Sequence, residues 1–237
     1  ATSHTWENGK NQQSHQDTTF CEALLGEMSD MVRVLFPADH NSVLATLPAI
    51  YQARGQLACM VIPKRERPAV FSQAQAEQLA RDGAVLVEQL DGEEPLLLMA
   101  CGSYQLAEMQ RAAVRLRTAG LAYRLVYVQE PGRFRAPRDR WEAQALASPE
   151  VVAQLFAPAL RRRVLLTHMR PEVARGHLWP LLPDASNTVV LGYRNRGGTL
   201  DEAGMQFANN ATWAHILDAC AQLLQVPLSG VLSAAEI

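Results

Sequence analysis

Residues 31–62, MVRVLFPADHNSVLATLPAIYQARGQLACMVI, carry the reading that decides the fold. Met31 to Phe36 is a short apolar and branched run that stops at Pro37, the pattern of a strand buried on both faces. Asp39 or Asn41 can cap a helix, and Val43, Leu44, Leu47, Ile50 and Tyr51 recur near helical spacing until Gly55 ends it. Leu57 to Ile62 is a second buried strand, closed by Pro63 and the cluster Lys64-Arg65-Glu66-Arg67-Pro68. A strand, a helix and a strand in this rhythm predict a parallel sheet, because parallel neighbours need a crossover connection.

Working outward, Ser72 opens a helix that Gly83 closes, and Ala84 to Val87 is read as a further strand of the same alternation. After the polar spacer 91–94, Pro95 begins a second unit. Leu96 to Ala100 is a strand, Ser103 to Arg117 a helix stopped by Gly120, and Tyr123 to Val128 a strand. Gly132 to Trp141 is basic and broken by proline, hence a loop, and Ser148-Pro149-Glu150 is a helix start with proline at its first position. Arg163 to Thr167 and Thr188 to Tyr193 are strands, and Pro171 to Leu182 is helical. The last helix covers Thr212 to Leu224 and ends before Pro227. The expected class is α/β with two open βα-alternating sheets, divided at 1–92 and 93–237.

The 237 residues suffice for one large domain or two modest ones, and 48% hydrophobic residues suffice for their cores. A net charge of -2 gives no electrostatic case for nucleic acid or an anionic membrane. Cys21, Cys59, Cys101 and Cys220 lack the paired spacing of a zinc site and read as reduced, structural thiols. No apolar run reaches the ~18 residues of a membrane span, and nothing at the start resembles a signal peptide, so the expected location is cytoplasmic.

Upstream, Ser3 to Phe20 reads SHTWENGKNQQSHQDTTF and crowds polar groups together with almost no apolar periodicity. Such a run is expected to build no core, and either to lie over a site or to form a solvated arm. Within it, Ser14-His15-Gln16-Asp17 sets an imidazole among groups able to orient it and to tune its proton affinity.

This run resembles the Ser-His-Gln-Asp segment of thiamine diphosphate-dependent phosphoketolases and, more distantly, the Thr-His-Gln segment of transketolases. The stretches MVRVLFPADHNSVLATLPAIYQ and LACMVIPKRERP are similar to the rest of the phosphoketolase middle domain in order and spacing. From Pro95 onward the chain is similar to the carboxy-terminal domain, including Gly192-Tyr193 and the turn at Arg196-Gly197-Gly198. The resemblance implies a partial thiamine-pyrimidine-binding domain followed by a transketolase-C-terminal-like, Rossmann-type domain.

By the same resemblance His15 is the catalytic acid and base, Asn11 contacts substrate hydroxyls, and Lys64 meets substrate phosphate at the end of a strand. Lys10 stands where the family has histidine, beside further departures at Gln12, Gln13, Thr18 and Thr19, and its tolerance of catalysis is left open. His4 matches a family position in Ser-His-x-Trp, with packing beside Trp6 as an equal reading. Arg65 and Arg67 are read as assisting Lys64. His168, His177 and His215 match no role, and the arginines of the 132–141 loop and the turn at 193–196 are given structural readings first.

The implied cofactors are thiamine diphosphate and Mg²⁺, whose main binding motifs are expected upstream of Ala1; no metal ligands are assigned in this chain. The implied partners are a sugar phosphate, inorganic phosphate and the upstream part of the same enzyme. An incomplete middle domain exposes a sheet edge, so a homo-oligomer or pairing with that upstream part is expected. Three functions follow from these readings: phosphoketolase cleavage, a non-catalytic assembly or regulatory module, and transketolase-type transfer.

Overall fold

Two sheets make the scaffold of this computed structural model, which describes residues 2–7, 17–196 and 200–232. The first is built from β1 (Thr2–Ser3), β2 (Val32–Leu35) and β3 (Leu57–Ile62), all parallel, with β3 in the middle. Helix α1 (Thr19–Leu25) precedes β2, α2 (His40–Gln52) joins β2 to β3, and α3 (Gln73–Asp82) follows β3. Asp39 begins α2 with a reciprocal cap: its carboxylate accepts the Ser42 N–H at 2.8 Å, and the Ser42 hydroxyl accepts the Asp39 N–H at 3.0 Å. Its second oxygen accepts the N–H groups of Val70 and Phe71 at 2.7 and 2.9 Å, which fastens the approach to α3 against the start of α2.

The second sheet has the order β4 (Ala84–Leu90), β6 (Tyr123–Val128), β5 (Leu96–Cys101), β7 (Arg163–Thr167), β8 (Thr188–Leu191). Strands β5 to β8 are parallel, as the βα alternation predicts. The strand at Ala84 corrects the reading that it continues the first sheet, because β4 pairs antiparallel with β6 along the edge of the second. The link from β4 to β5 is too short for a crossover helix, so the chain can only enter this sheet running the opposite way.

Strand β5 is buried along its whole length. Leu96, Leu98 and Ala100 pack with α4 (Ser103–Thr118) and α9 (Trp213–Leu224), through Leu106, Met109, Ile216 and Leu217. Leu97, Met99 and Cys101 face the opposite layer with Leu155, Phe156 and Met169, where α6 (Pro149–Leu155) and α7 (Pro171–His177) lie. Alternate residues thus serve two cores, the period of two that a doubly covered strand requires. All four cysteines are free and buried. Burial pushes the thiols up, that of Cys220 to about 12.

Some elements stop short of their expected ends. The helix expected to reach Leu182 ends at His177 and continues as a tight turn at Trp179–Leu181, where Pro180 interrupts the backbone donors. The strand expected to reach Tyr193 ends at Leu191, because Gly192 passes close against the Met169 carbonyl and Thr167, where a Cβ has no room. Three helices carried no expectation: the one at Thr19–Leu25, α8 (Glu202–Ala208) and the short one at Arg140–Ala145.

The basic stretch at 132–141 holds a turn at Pro131–Phe134 and the start of α5 (Arg140–Ala145). Three of its arginines, Arg133, Arg135 and Arg138, are tied to other parts of the chain, while Arg140 lies over the exposed Trp141 ring. Glu142, fully buried, accepts the N–H of Ser29 at 2.9 Å and pairs with Arg138 at 2.8 Å and Arg135 at 3.6 Å. The same two guanidinium groups donate to the carbonyls of Leu25 and Gly26 at the end of α1. Burial opposes charge on Glu142, but bonds from Arg138 and Ser29 bring its carboxyl down to about 2. Replacing Glu142 by alanine leaves two guanidinium groups without their carboxylate, and should lower unfolding free energy by about 3 kcal/mol in urea titrations.

Candidate functional site

The carboxyl ends of β1, β3, β5 and β7 meet in one place, the position where open α/β sheets bind ligands. From β1 the chain runs into His4 and a short turn at Thr5–Glu7. His4, Thr5 and Trp6 are buried, which corrects the expectation that this run builds no core. Trp6 Nε1 donates to the His168 carbonyl at 3.1 Å, and the Thr5 N–H donates to His168 Nε2 at 3.2 Å. An imidazole read as having no role therefore anchors the arm. Nothing local in the sequence announces this, since the partners lie more than 160 residues apart.

His4 stands edge-on to His168, with ring centres 4.2 Å apart, and edge-on to Tyr104 at 4.8 Å. Neither of its ring nitrogens has a hydrogen-bond partner among the described residues. Burial first, then the neighbouring His168 and Arg67, push its proton affinity well below the usual imidazole range. Burial alone brings His168 to about 3. Both rings are neutral at physiological pH, and both nitrogens of His4 are turned away from water.

Glu7 follows at the mouth of this layer. Its carboxylate accepts the backbone N–H of Lys64 at 2.7 and 3.0 Å and that of Arg65 at 3.0 Å, together with the Tyr104 hydroxyl. Lys64 stands just past the carboxyl end of β3 with its side chain exposed. The Arg67 guanidinium covers the Tyr104 ring at 4.3 Å and lies 3.9 Å from Glu202. Beside this cluster a groove of about 320 Å³ runs between the ends of β2 and β3, lined by Pro37 to His40, Val43, Ile62, Pro63 and Arg65 to Arg67.

Asp17 pairs with Arg170 at 3.1 Å, just beyond the end of β7. Burial works against its charge, but bonds from Thr19 and the Arg170 cation hold its carboxyl below the usual range. Arg170 also pairs with Glu22 on α1, and its backbone N–H donates to the same carboxylate at 2.7 Å. His15, Asn11 and Lys10 lie outside the described residues, between Glu7 and Asp17. The fastened ends of that stretch, the exposed Lys64 and the groove are what the structure brings together. Sequence reasoning missed Glu7, His168 and Arg170, for which only non-local pairing supplies a signal.

A thiamine diphosphate and Mg²⁺ group needs oxygen donors free to bind the metal. The buried carboxylate lining the groove, Asp39, is consumed by four hydrogen bonds at the start of α2 and the approach to α3. No cluster of three or more His, Cys, Asp or Glu side chains among the described residues can hold a metal ion. These residues do not fit the group's metal-bearing end.

Comparison with solved structures gives the fold class. Transketolase from Leishmania mexicana superposes with a TM-score of 0.68 at 15% identity, over 97% of this chain and 30% of that one. A structure titled split gene transketolase, inactive beta4 tetramer, superposes with a TM-score of 0.67 at 15% identity, over 95% of this chain and 65% of that one. The fold is that of transketolase-type proteins, and the chain spans 30% of the Leishmania mexicana structure.

Sequence carries the assignment further. The family model described as D-xylulose 5-phosphate/D-fructose 6-phosphate phosphoketolase matches residues 1–53. The probable phosphoketolase of Brucella suis biovar 1 is 31% identical over 229 residues, 91% of this chain and 27% of that protein. That of Lactococcus lactis subsp. lactis is 28% identical over 166 residues, 67% of this chain and 20% of that protein. The chain belongs to the phosphoketolase family and spans about a quarter of the length of these relatives. No helix among the described residues is long and apolar enough to cross a membrane.

The neutral buried imidazoles set a pH dependence. An unfolded chain protonates His168 near its ordinary ~6.5, whereas the folded chain resists until about 3, so stability falls as pH falls between those values. Between pH 7.5 and 5.0 His168 should cost about 2 kcal/mol of unfolding free energy, with His4 adding in the same direction. Urea titrations at the two pH values check this, and His168→Gln should flatten the dependence.

Proposed function

We propose that the chain is the carboxy-terminal portion of a phosphoketolase, which cleaves a ketose phosphate with inorganic phosphate to acetyl phosphate and an aldose phosphate. The observation that carries this reading is the fastening of the arm at both ends. Glu7 is held at the end of β3 beside Lys64, and Asp17, last residue of the Ser-His-Gln-Asp motif, is held at the end of β7 by Arg170. Both anchor points lie at the carboxyl ends of strands, where open α/β sheets bind ligands.

In this reading His15 moves protons to and from the substrate's hydroxyl and carbonyl oxygens, and Asn11 orients hydroxyl groups. Lys64 neutralises the phosphate as a point charge on a flexible stem, and Lys10 contributes a second cation to substrate binding. Thiamine diphosphate with Mg²⁺, on which this enzyme family depends, supplies the electron sink for carbon–carbon cleavage when bound. Its binding groups are assigned to the upstream region. The division into a pyrimidine-binding-like unit at 1–92 and a carboxy-terminal unit at 93–237 belongs to the same reading, with the boundary moved before Ala84 if sheet membership is the criterion. The exposed Met31, Leu44, Tyr51 and Leu57 of the first unit support a covering partner, either the upstream region or a second copy, in a cytoplasmic homo-oligomer.

A second reading has an observation of its own. One solved structure sharing this fold is titled an inactive tetramer of a split-gene transketolase. By that analogy the chain is one half of a divided enzyme and is silent alone, as an assembly module is.

Intact mass of the protein as isolated, with an acetyl phosphate assay on xylulose 5-phosphate, phosphate, thiamine diphosphate and Mg²⁺, separates the two. The phosphoketolase reading expects product once the upstream region is present. It also expects loss of product in His15→Ala, and a KM for sugar phosphate raised roughly tenfold or more in Lys64→Ala. Absence of product with both regions present overturns it.

A further inference from the structure

The contacts of Glu7 are those of an anion in a binding site. Two successive backbone N–H groups, of Lys64 and Arg65, converge on one carboxylate, and the Tyr104 hydroxyl completes the set. Consecutive amides aimed at one point form a concavity that selects oxyanions. Three cations, Lys64, Arg65 and Arg67, stand around it with two further carboxylates, Glu66 and Glu202. The Lys64 ammonium makes no ion pair among the described residues, and the Arg65 and Arg67 guanidinium groups reach Glu202 only at 4.0 and 3.9 Å. Glu7 thus supplies from within what the end of β3 is built to receive.

Glu7 ends a three-residue turn after a two-residue strand, and its bonds to Lys64 and Arg65 lie at the solvent boundary, while that from Tyr104 is part-buried. The adjoining groove, lined by Arg65 and Arg67, has room for a phosphoryl group. A phosphate dianion carries more charge than a carboxylate and offers more acceptor oxygens to the same donors. We infer that the Lys64 and Arg65 N–H groups and the Tyr104 hydroxyl form a phosphate-binding site that Glu7 occupies as a built-in competitor, and from which phosphate displaces it. The inference rests on the reading that Lys64 meets phosphate, and adds to it the backbone donors and the group that must leave.

The test is a titration of the 237-residue chain with inorganic phosphate, followed by amide NMR. The Lys64 and Arg65 amide signals should move to saturation, and the carboxyl carbon of Glu7 should move with the same midpoint as it loses its donors. Glu7→Gln, which keeps the side-chain size and removes the charge, should bind phosphate roughly tenfold more tightly at the same two amides. Silent amides, or a Glu7 carboxyl signal that stays fixed while they move, overturn the inference, and these wild-type readings hold whether or not the variant folds. Unchanged affinity in a folded Glu7→Gln overturns it as well.

Lys64→Ala separates this inference from the functional reading. If phosphate still moves both amides with unchanged affinity, the backbone site stands and the role given to the Lys64 ammonium fails. If Lys64→Ala weakens phosphate binding while the wild-type amides stay silent, the ammonium role stands and displacement of Glu7 fails.

Discussion

The two sheets are joined at their ligand-binding ends by a pair of hydrogen bonds to one residue, His168. Its carbonyl accepts from Trp6 and its Nε2 accepts from the Thr5 N–H, so the chain leaving β1 is fixed to the chain leaving β7. An imidazole can accept at Nε2 only when that nitrogen is unprotonated, which places the ring proton on Nδ1. The Trp6 ring then fills the space against Tyr193, with ring centres 5.9 Å apart. Position and protonation state are thus one constraint: a cation at His168 would lose the Thr5 bond and bury an unpaired charge.

From this joint, charge is arranged in two ways. Along the buried contact between the two units, guanidinium groups are saturated. Arg33 binds Glu130 at 2.7 and 2.8 Å, Arg135 and Arg138 share Glu142, and Arg170 holds Asp17 and Glu22. At the end of β3 the cations are loosely matched, with Lys64 exposed and Arg65 and Arg67 only within outer reach of Glu202. Saturated pairs fix geometry, whereas unsaturated cations at a sheet's carboxyl end are available to a ligand.

Much of this scaffold is legible in the sequence because it is local. The β2–α2–β3 unit is read from an apolar run, a cap and a glycine, and the strands of the second sheet from runs that need burial on both faces. What local pattern hides is partnership. Ala84 to Leu90 has the same strand signature in either sheet, and only the open edge of β6 decides its direction. Trp6 and His4 sit in a polar run, yet their surroundings come from Tyr104, His168 and Tyr193, none of them near in sequence. The basic 132–141 stretch could be read as a solvated loop because its carboxylate, Glu142, acts through the distant Ser29 and the end of α1. Of the expected site, Lys64 stands at a strand's carboxyl end as its sequence position implies, while Glu7 beside it had no signal of its own.

The four buried thiols give the molecule a set of internal clocks. Cys59 belongs to the first sheet, Cys101 to the centre of the second, Cys220 to the helix that covers it, and Cys21 to the helix packed against β2 and β3. A thiol whose ionisation is suppressed by burial does not react with alkylating reagents until its surroundings open. Labelling at each cysteine therefore times the opening of one layer, and the order in which the four become reactive traces how the joined sheets come apart.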